Sequence, residues 1–121
     1  MFPVTRTCIS IEILISLKKL SGRLILPTEP KESIGNWHIF AIRVPRVLRG
    51  DVIKRLKTYG IEAAFHYLPL HSSAMGKKLG YRKNDLPICE EVAATLIRLP
   101  IYPTLKKTEM DYIAAVIAKS I

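Results

Sequence analysis

From about Arg23 onward, short apolar runs alternate with segments whose apolar residues recur every three to four positions. Arg23-Leu-Ile-Leu-Pro27 is a short extended piece stopped by proline, and Thr28 to Asn36, with Pro30, Gly35 and Asn36, is loop. His38-Ile-Phe-Ala-Ile-Arg-Val44 is rich in strand formers and closed by Pro45, which predicts a strand. Asp51 to Tyr59 places Val52, Ile53 and Leu56 on one helical face, and Gly60 stands where a left-handed residue would end the helix. Ile61 to Phe65 predicts a second strand. Pro87 to Ile97 predicts a helix with Ile88, Val92 and Leu96 on one face, Asp85 placed to cap it and Pro87 tolerated only in its first turn. Leu99 to Tyr102, between Pro100 and Pro103, predicts a short edge strand. Thr108 to Lys119 closes the chain as a helix with Met110, Ile113, Ala114 and Ile117 on its apolar face, and Thr108 with Asp111 resembles a capping box. The sum is an α+β domain, a small open and mainly antiparallel sheet flanked by helices.

Two segments escape this pattern. Near the amino terminus, Ile9, Ile13, Leu17 and Leu20 would line one side of a helix, but Ile11 and Ile15 fill the other. A strand, a fully buried helix or a segment awaiting a missing partner each accounts for that. From His66 to Asp85 the pattern dissolves into Pro, Ser, Gly and Lys, which predicts a long loop with a helical turn. Loops of that length in compact domains are often functional.

Composition narrows the class. A chain of 121 residues fits one domain with a real core. With 49% apolar residues it is not a disordered chain, and 6 Gly, 8 Pro and 2 Cys exclude collagen-like, low-complexity and disulfide-scaffold classes. Cys8 and Cys89 form no C-x-x-C. The apolar stretch from Cys8 to Leu17 carries Glu12, follows only Arg6, and meets no small-residue cleavage site before Lys18-Lys19. No run approaches the roughly 20 apolar residues of a membrane span. A cytoplasmic location without a membrane partner is therefore expected.

The net charge of +9, from 19 Lys and Arg against 10 acids, would steer any anionic partner. Its carriers are scattered pairs: Lys18-Lys19, Lys54-Arg55, Lys77-Lys78, Arg82-Lys83 and Lys106-Lys107. A basic stripe interleaved with exposed aromatics, the usual mark of a nucleic-acid reader, is missing. These pairs are read as solvated helix and loop faces.

The candidate chemistry is modest. His66 and His71 are five apart with Pro69 between them, and no Cys or carboxylate within the loop completes a zinc set, so no metal is expected. As hydrogen-bonders, His66, Tyr67 and His71 suit phosphate or sugar hydroxyls. His38, beside Trp37, is first a packed or capping histidine. Gly76-Lys77-Lys78 fails as a phosphate loop, because His71 stands where the earlier glycine is needed and Lys78 where Ser or Thr is needed. Ser73 and Lys77 lack a third group to orient them as a nucleophile or Schiff-base pair.

Three ordered phrases carry a resemblance. Gly35-Asn-Trp-His-Ile-Phe-Ala-Ile-Arg-Val-Pro45, Gly60-Ile-Glu-Ala-Ala-Phe-His-Tyr-Leu-Pro-Leu-His-Ser-Ser73 and Arg98-Leu-Pro-Ile-Tyr-Pro-Thr104 together resemble the carboxy-terminal region of the DegT/DnrJ/StrS sugar aminotransferases. These are fold-type I enzymes that use pyridoxal phosphate (PLP) to aminate nucleotide-linked keto sugars. Phe65-His-Tyr-Leu-Pro-Leu-His-Ser-Ser73 followed by Gly76 looks most like members acting on TDP-4-keto-6-deoxyglucose, with glutamate as donor and TDP-4-amino-4,6-dideoxygalactose as product.

The resemblance implies a division of the chain and a limit on what it does alone. Residues 17–121 correspond to the family's small domain, and 1–16 to an atypical amino-terminal segment. Family members are about three times this length, and their large domain holds the cofactor lysine, which cannot be dispensed with because it moves the proton. No catalytic residue and no PLP are therefore expected on this chain alone, and Lys77 is no substitute. The expectation is a truncated aminotransferase, either inactive or dependent on a separately encoded large domain, and prone to self-association through uncovered apolar surface. A non-catalytic nucleotide-sugar-binding module and a basic domain recruited to nucleic acid are the alternatives. His66, Tyr67 and His71 match the segment near the nucleotide-sugar, with Asn36 and His38 second.

Overall fold

The structure, a computed structural model, describes residues 6–121, with side chains from Ile9 onward. Part of the segment expected to stand apart, residues 1–5, and the side chain of Cys8 lie outside the described residues. In chain order the elements are α1 (Arg6–Leu17), β1 (Phe40–Arg43), α2 (Arg49–Thr58), α3 (Ala74–Lys78), α4 (Pro87–Thr95), β2 (Leu96–Leu99) and α5 (Lys107–Ala118), with 3₁₀ turns at Lys18–Leu20 and Leu70–Ser72.

β1 and β2 pair antiparallel, Phe40 opposite Leu99 and Ile42 opposite Ile97. Period-2 alternation sends these four side chains to one face, where all are buried. Each such burial contributes about 1.5–3 kcal/mol. The core is completed by Ile9, Ile13 and Leu17 of α1, Val52 and Leu56 of α2, and Met110, Ile113 and Ile117 of α5. Arg43 and Arg98 alternate with those core positions. The sheet is widened on both sides by single antiparallel bridges, Ile25 to Arg43 and Ala64 to Arg98. The predicted extended piece at 23–27 and the predicted strand at 61–65 thus shrink to one paired residue each, and the predicted edge strand at 99–102 is replaced by β2 at Leu96–Leu99, which lies inside the sheet between β1 and Ala64.

Gly60, at φ +74°, ends α2 as expected. The junction of α4 and β2 differs from expectation. The helix stops at Thr95 rather than Ile97, and the strand begins at once with Leu96 instead of waiting for Leu99. Thr95 Oγ1 donates into the last turn, 2.9 Å from the Glu91 carbonyl, and accepts from Arg43 Nε at 2.8 Å. Its own carbonyl accepts from Val44 N–H at 3.0 Å. The sheet thus captures the chain at Thr95, and Pro100, lacking an N–H, follows the last strand residue. The predicted apolar face of this helix is not a core face: Ile88 is 80% exposed.

Two predicted caps also move. Asp85 does not cap α4; its Oδ2 accepts from Arg82 N–H at 2.7 Å and closes its own turn. α5 begins at Lys107, and Glu109 Oε2 accepts from Lys106 N–H at 2.7 Å, two residues before the expected Thr108/Asp111 box. Asp111 instead faces α1, with Oδ1 2.7 Å from Ser16 Oγ, and pairs with Lys107 Nζ at 3.0 Å.

Along residues 6–17 the chain is helical and not a strand, and the helix is not buried all round. Ile9, Ile13 and Leu17 are buried at i, i+4 and i+8, while Ile11 and Ile15 are more than half exposed. The Ser16 hydroxyl, and after it the Lys107 ammonium, hold the Asp111 carboxyl below its usual value. The bonds favour the ionised form, so their stabilisation is complete above the unfolded carboxylate pKa of about 3.9 and fades as pH falls through the lower folded value. Asp111→Asn is therefore expected to unfold more easily than wild type at neutral pH, with the gap closing in acid. Denaturant midpoints measured along a pH series check this; a pH-independent gap would contradict it. Among the described residues, no helix is long and apolar enough to cross a membrane.

Candidate functional site

The 66–85 segment is more ordered than a loop of Pro, Ser and Gly suggests. Pro69 N-caps the 3₁₀ turn Leu70–Ser72, and Ser73 then N-caps α3, its Oγ accepting from Gly76 N–H at 3.0 Å and donating to the Leu70 carbonyl at 2.6 Å. Gly76 is pressed against that turn, so that a Cβ on it would fall far inside contact distance of the Leu70 and His71 carbonyls.

On the near side of this knot, His66 lies flat on Tyr67, with ring centroids 4.2 Å apart and planes 9° apart. His66 Nε2 is 3.1 Å from Arg98 Nη1. A guanidinium only donates, so Nε2 accepts, the imidazole is neutral and its proton sits on Nδ1. Arg98 reaches His66 because its strand neighbour Ala64 exchanges two backbone bonds with it, at 2.7 and 3.2 Å. Phe65 presents its ring to the Arg49 guanidinium, 5.4 Å from the centroid, while Arg49 Nη1 donates to the Ala93 carbonyl at 3.1 Å.

An open cavity of about 710 Å³ runs between residues 66–70 and a second wall made of residues 85–89 with Val92 and Ala93 of α4. Its lining is mostly apolar; the polar side chains are His66, Tyr67, Asp85 and Cys89. Tyr67, Leu68, Leu70 and Ile88 are each largely exposed around it.

His71 does not line this cavity. It is buried, with Nε2 2.8 Å from Glu90 Oε1 and its ring edge-on to Tyr81. Glu90 Oε1 also accepts from Asn84 N–H at 2.7 Å. The His71 bond first, then the Asn84 bond, hold the Glu90 carboxyl below its usual value, outweighing the opposing effect of burial. Asn36 and His38 stand apart as an exposed pair, His38 Nδ1 2.7 Å from Asn36 Oδ1, in the approach to β1. Of the five residues singled out from the sequence, the structure brings His66 and Tyr67 together on one wall and sets His71 behind it. Glu90, Arg98 and Cys89 were missed. Arg98 becomes legible only if β2 starts at Leu96, which puts it on the face opposite Ile97 and Leu99. Glu90 has no local signal, because its partner lies 19 residues earlier. Among the described residues, no group of three or more His, Cys, Asp or Glu side chains could hold a metal ion.

Comparison with known proteins adds the wider context. A family model for the DegT/DnrJ/EryC1/StrS aminotransferase family matches residues 5–118. The chain is 35% identical over 107 residues to a pleiotropic regulatory protein of Geobacillus stearothermophilus, covering 85% of this chain and 28% of that one. It is 35% identical over 85 residues to a dTDP-3-amino-3,4,6-trideoxy-alpha-D-glucose transaminase of Micromonospora megalomicea subsp. nigra, covering 68% of this chain and 23% of that one. Among solved structures, S. venezuelae DesV in complex with a ketimine intermediate superposes with a TM-score of 0.84 at 26% identity, over 94% of this chain and 30% of that one. The chain thus spans less than a third of the length of each.

Proposed function

Because the chain belongs to the DegT/DnrJ/EryC1/StrS aminotransferase family, we propose that it is the small, carboxy-terminal part of a PLP-dependent nucleotide-sugar aminotransferase and forms one wall of the sugar-nucleotide site. The observation that carries this reading is the cavity whose wall is the stacked His66–Tyr67 pair. The Nδ1–H of His66 and the Tyr67 hydroxyl are donors suited to diphosphate and sugar oxygens. The apolar strip from Leu68 to Leu70 suits the deoxygenated face of a sugar or the face of a thymine. The proposed ligand is a TDP-sugar, in the first instance TDP-4-keto-6-deoxyglucose aminated at the expense of glutamate. A dTDP-sugar transaminase among the relatives supports the nucleotide class.

In full-length members PLP supplies the electron sink for amino transfer. None of the residues lining this cavity is a lysine, so its walls offer the cofactor's aldehyde no amine. The chain is accordingly proposed not to transaminate through these residues alone and to work, in the cytoplasm, together with a large domain of the family. The exposed rim of Tyr67, Leu68, Leu70 and Ile88 supports a covering partner, either that domain or a second copy of the chain.

Titrating the chain with TDP-glucose by calorimetry, alone and with a co-expressed large domain from a relative, tests this reading. Binding is expected, weakened about tenfold or more by His66→Ala, which removes a charge-assisted bond. Absence of binding in both settings would overturn the reading. So would steep, salt-dependent binding of arbitrary DNA in place of TDP-glucose, which would favour a basic domain recruited to nucleic acid.

A further inference from the structure

We propose that Glu90 is the positioning residue of this wall, a clasp that fixes His66 and Tyr67 through His71 and without contact to any ligand. The cavity has two walls, and each runs directly into one half of the clasp. Residues 66–70 lead into His71, and residues 85–89 lead into Glu90. The two halves meet at 2.8 Å, with side chains 3% and 16% exposed.

The same carboxylate oxygen takes a second bond from Asn84 N–H at 2.7 Å. Asn84 sits at φ +72°, the left-handed region that Asn adopts more readily than most residues with a side chain, and that bond ties its N–H to α4. One oxygen of α4's first turn therefore ties down both the 3₁₀ turn of His71 and the turn that precedes the helix. Ser73 and Gly76 brace the His71 turn from its other side. Nothing else described crosses from residues 70–73 to α4 through hydrogen bonds. Loss of the carboxylate would leave a buried imidazole donor without an acceptor, which is costlier than the bond's net worth.

The clasp also dictates tautomers. A carboxylate only accepts, so His71 carries a proton on Nε2. His66, five residues earlier, carries its proton on Nδ1 because Nε2 accepts from Arg98. The two histidines of one segment therefore use Nε2 in opposite senses, one accepting beside the cavity and one donating as a strut.

The part of this proposal that concerns ligand rests on the sugar-nucleotide reading above; the clasp does not. The test is hydrogen exchange and histidine ¹⁵N spectroscopy on the unliganded full chain. In Glu90→Ala, the amides of Ser72, Ser73 and Lys77 are expected to exchange about tenfold faster or more, while those of β1 and α5 stay unchanged. Glu90→Gln, which keeps an acceptor oxygen in place, is expected to restore most of that protection. The wild-type His71 signal is expected to be that of an Nε2–H imidazole and to become a tautomer mixture in Glu90→Ala. If that variant fails to fold, His71→Gln, which keeps a side chain of similar volume with a shorter reach to Glu90, gives the same exchange readout. Unchanged protection in the 72–77 amides, a uniform rise across all elements, or an Nδ1–H His71 in wild type would overturn the clasp. TDP-glucose titration of the same variants then separates the two readings. Weaker binding by Glu90→Ala supports the positioning role, and unaltered binding by a loosened wall defeats it. No binding even by wild type defeats the sugar-nucleotide reading and leaves the clasp to be judged by exchange and tautomer alone.

Discussion

Gly76→Ala is expected to destabilise the protein by about 1–3 kcal/mol, against the ordinary preference of helices for alanine. Gly76 lies inside α3 with no need for a left-handed backbone, so propensity alone would make alanine the better residue by about 0.5–1 kcal/mol. Packing reverses the sign. The new Cβ would run into the carbonyl oxygens of Leu70 and His71, which are backbone and cannot swing aside as a side-chain tip would. Those carbonyls belong to the 3₁₀ turn, itself pinned by Ser73 and, through His71, by Glu90. Either the turn shifts and the His71–Glu90 contact stretches, or α3 lifts away. Gly50→Ala in α2 is the control, because nothing lies within 4 Å of its added Cβ. That variant is expected to be neutral or stabilised by about 0.5–1 kcal/mol. Urea midpoints of the pair measure the difference. A Gly76→Ala chain as stable as wild type would mean that the turn is not packed on α3 in solution.

The contrast between these two glycines also shows what a sequence displays and what it hides. α2 and α5 were legible because their apolar positions repeat at helical spacing and because a glycine ends α2. Val52 and Leu56, and Met110, Ile113, Ala114 and Ile117, are buried as that spacing demands. β1 was legible from its branched and aromatic run. The end of α4 was not, because Ile88, Val92 and Leu96 keep a helical spacing past the point where pairing with β1 makes Leu96 extended. Ile88 belongs to the spacing but faces the open cavity instead of the core. The loop was legible as a place of interest through its polar His/Tyr content and the family phrase it carries. Its internal architecture was not, since Gly76 against Leu70, His71 against Glu90 and His66 against Arg98 are contacts between segments. Composition marks His66 and His71 as equivalent; only their partners make one a cavity residue and the other a strut.

The amino-terminal helix poses the same question about a core. Ile13→Ala is expected to cost about 2–5 kcal/mol, a large share of the roughly 5–15 kcal/mol that holds a domain of this size together. Ile15→Ala, two positions on, is expected to change stability by no more than about 0.5 kcal/mol. Ile13 has no exposed surface and belongs to the core cluster with Phe40, Ile42 and the apolar face of α5, whereas Ile15 is 58% exposed. Truncating Ile13 would leave a void that neighbours on three elements cannot all close; truncating Ile15 removes atoms already in water. Equilibrium unfolding of the two variants, with unchanged m-values to show that the same surface is exposed, measures the difference. Two small effects would mean that α1 does not share the core in solution and that the division expected near residue 17 is real. A large effect at Ile13 alone would place α1 inside the folding unit. In that event any fragment begun at residue 17 would expose the α5 face that α1 covers, together with the Asp111 carboxylate that Ser16 now satisfies.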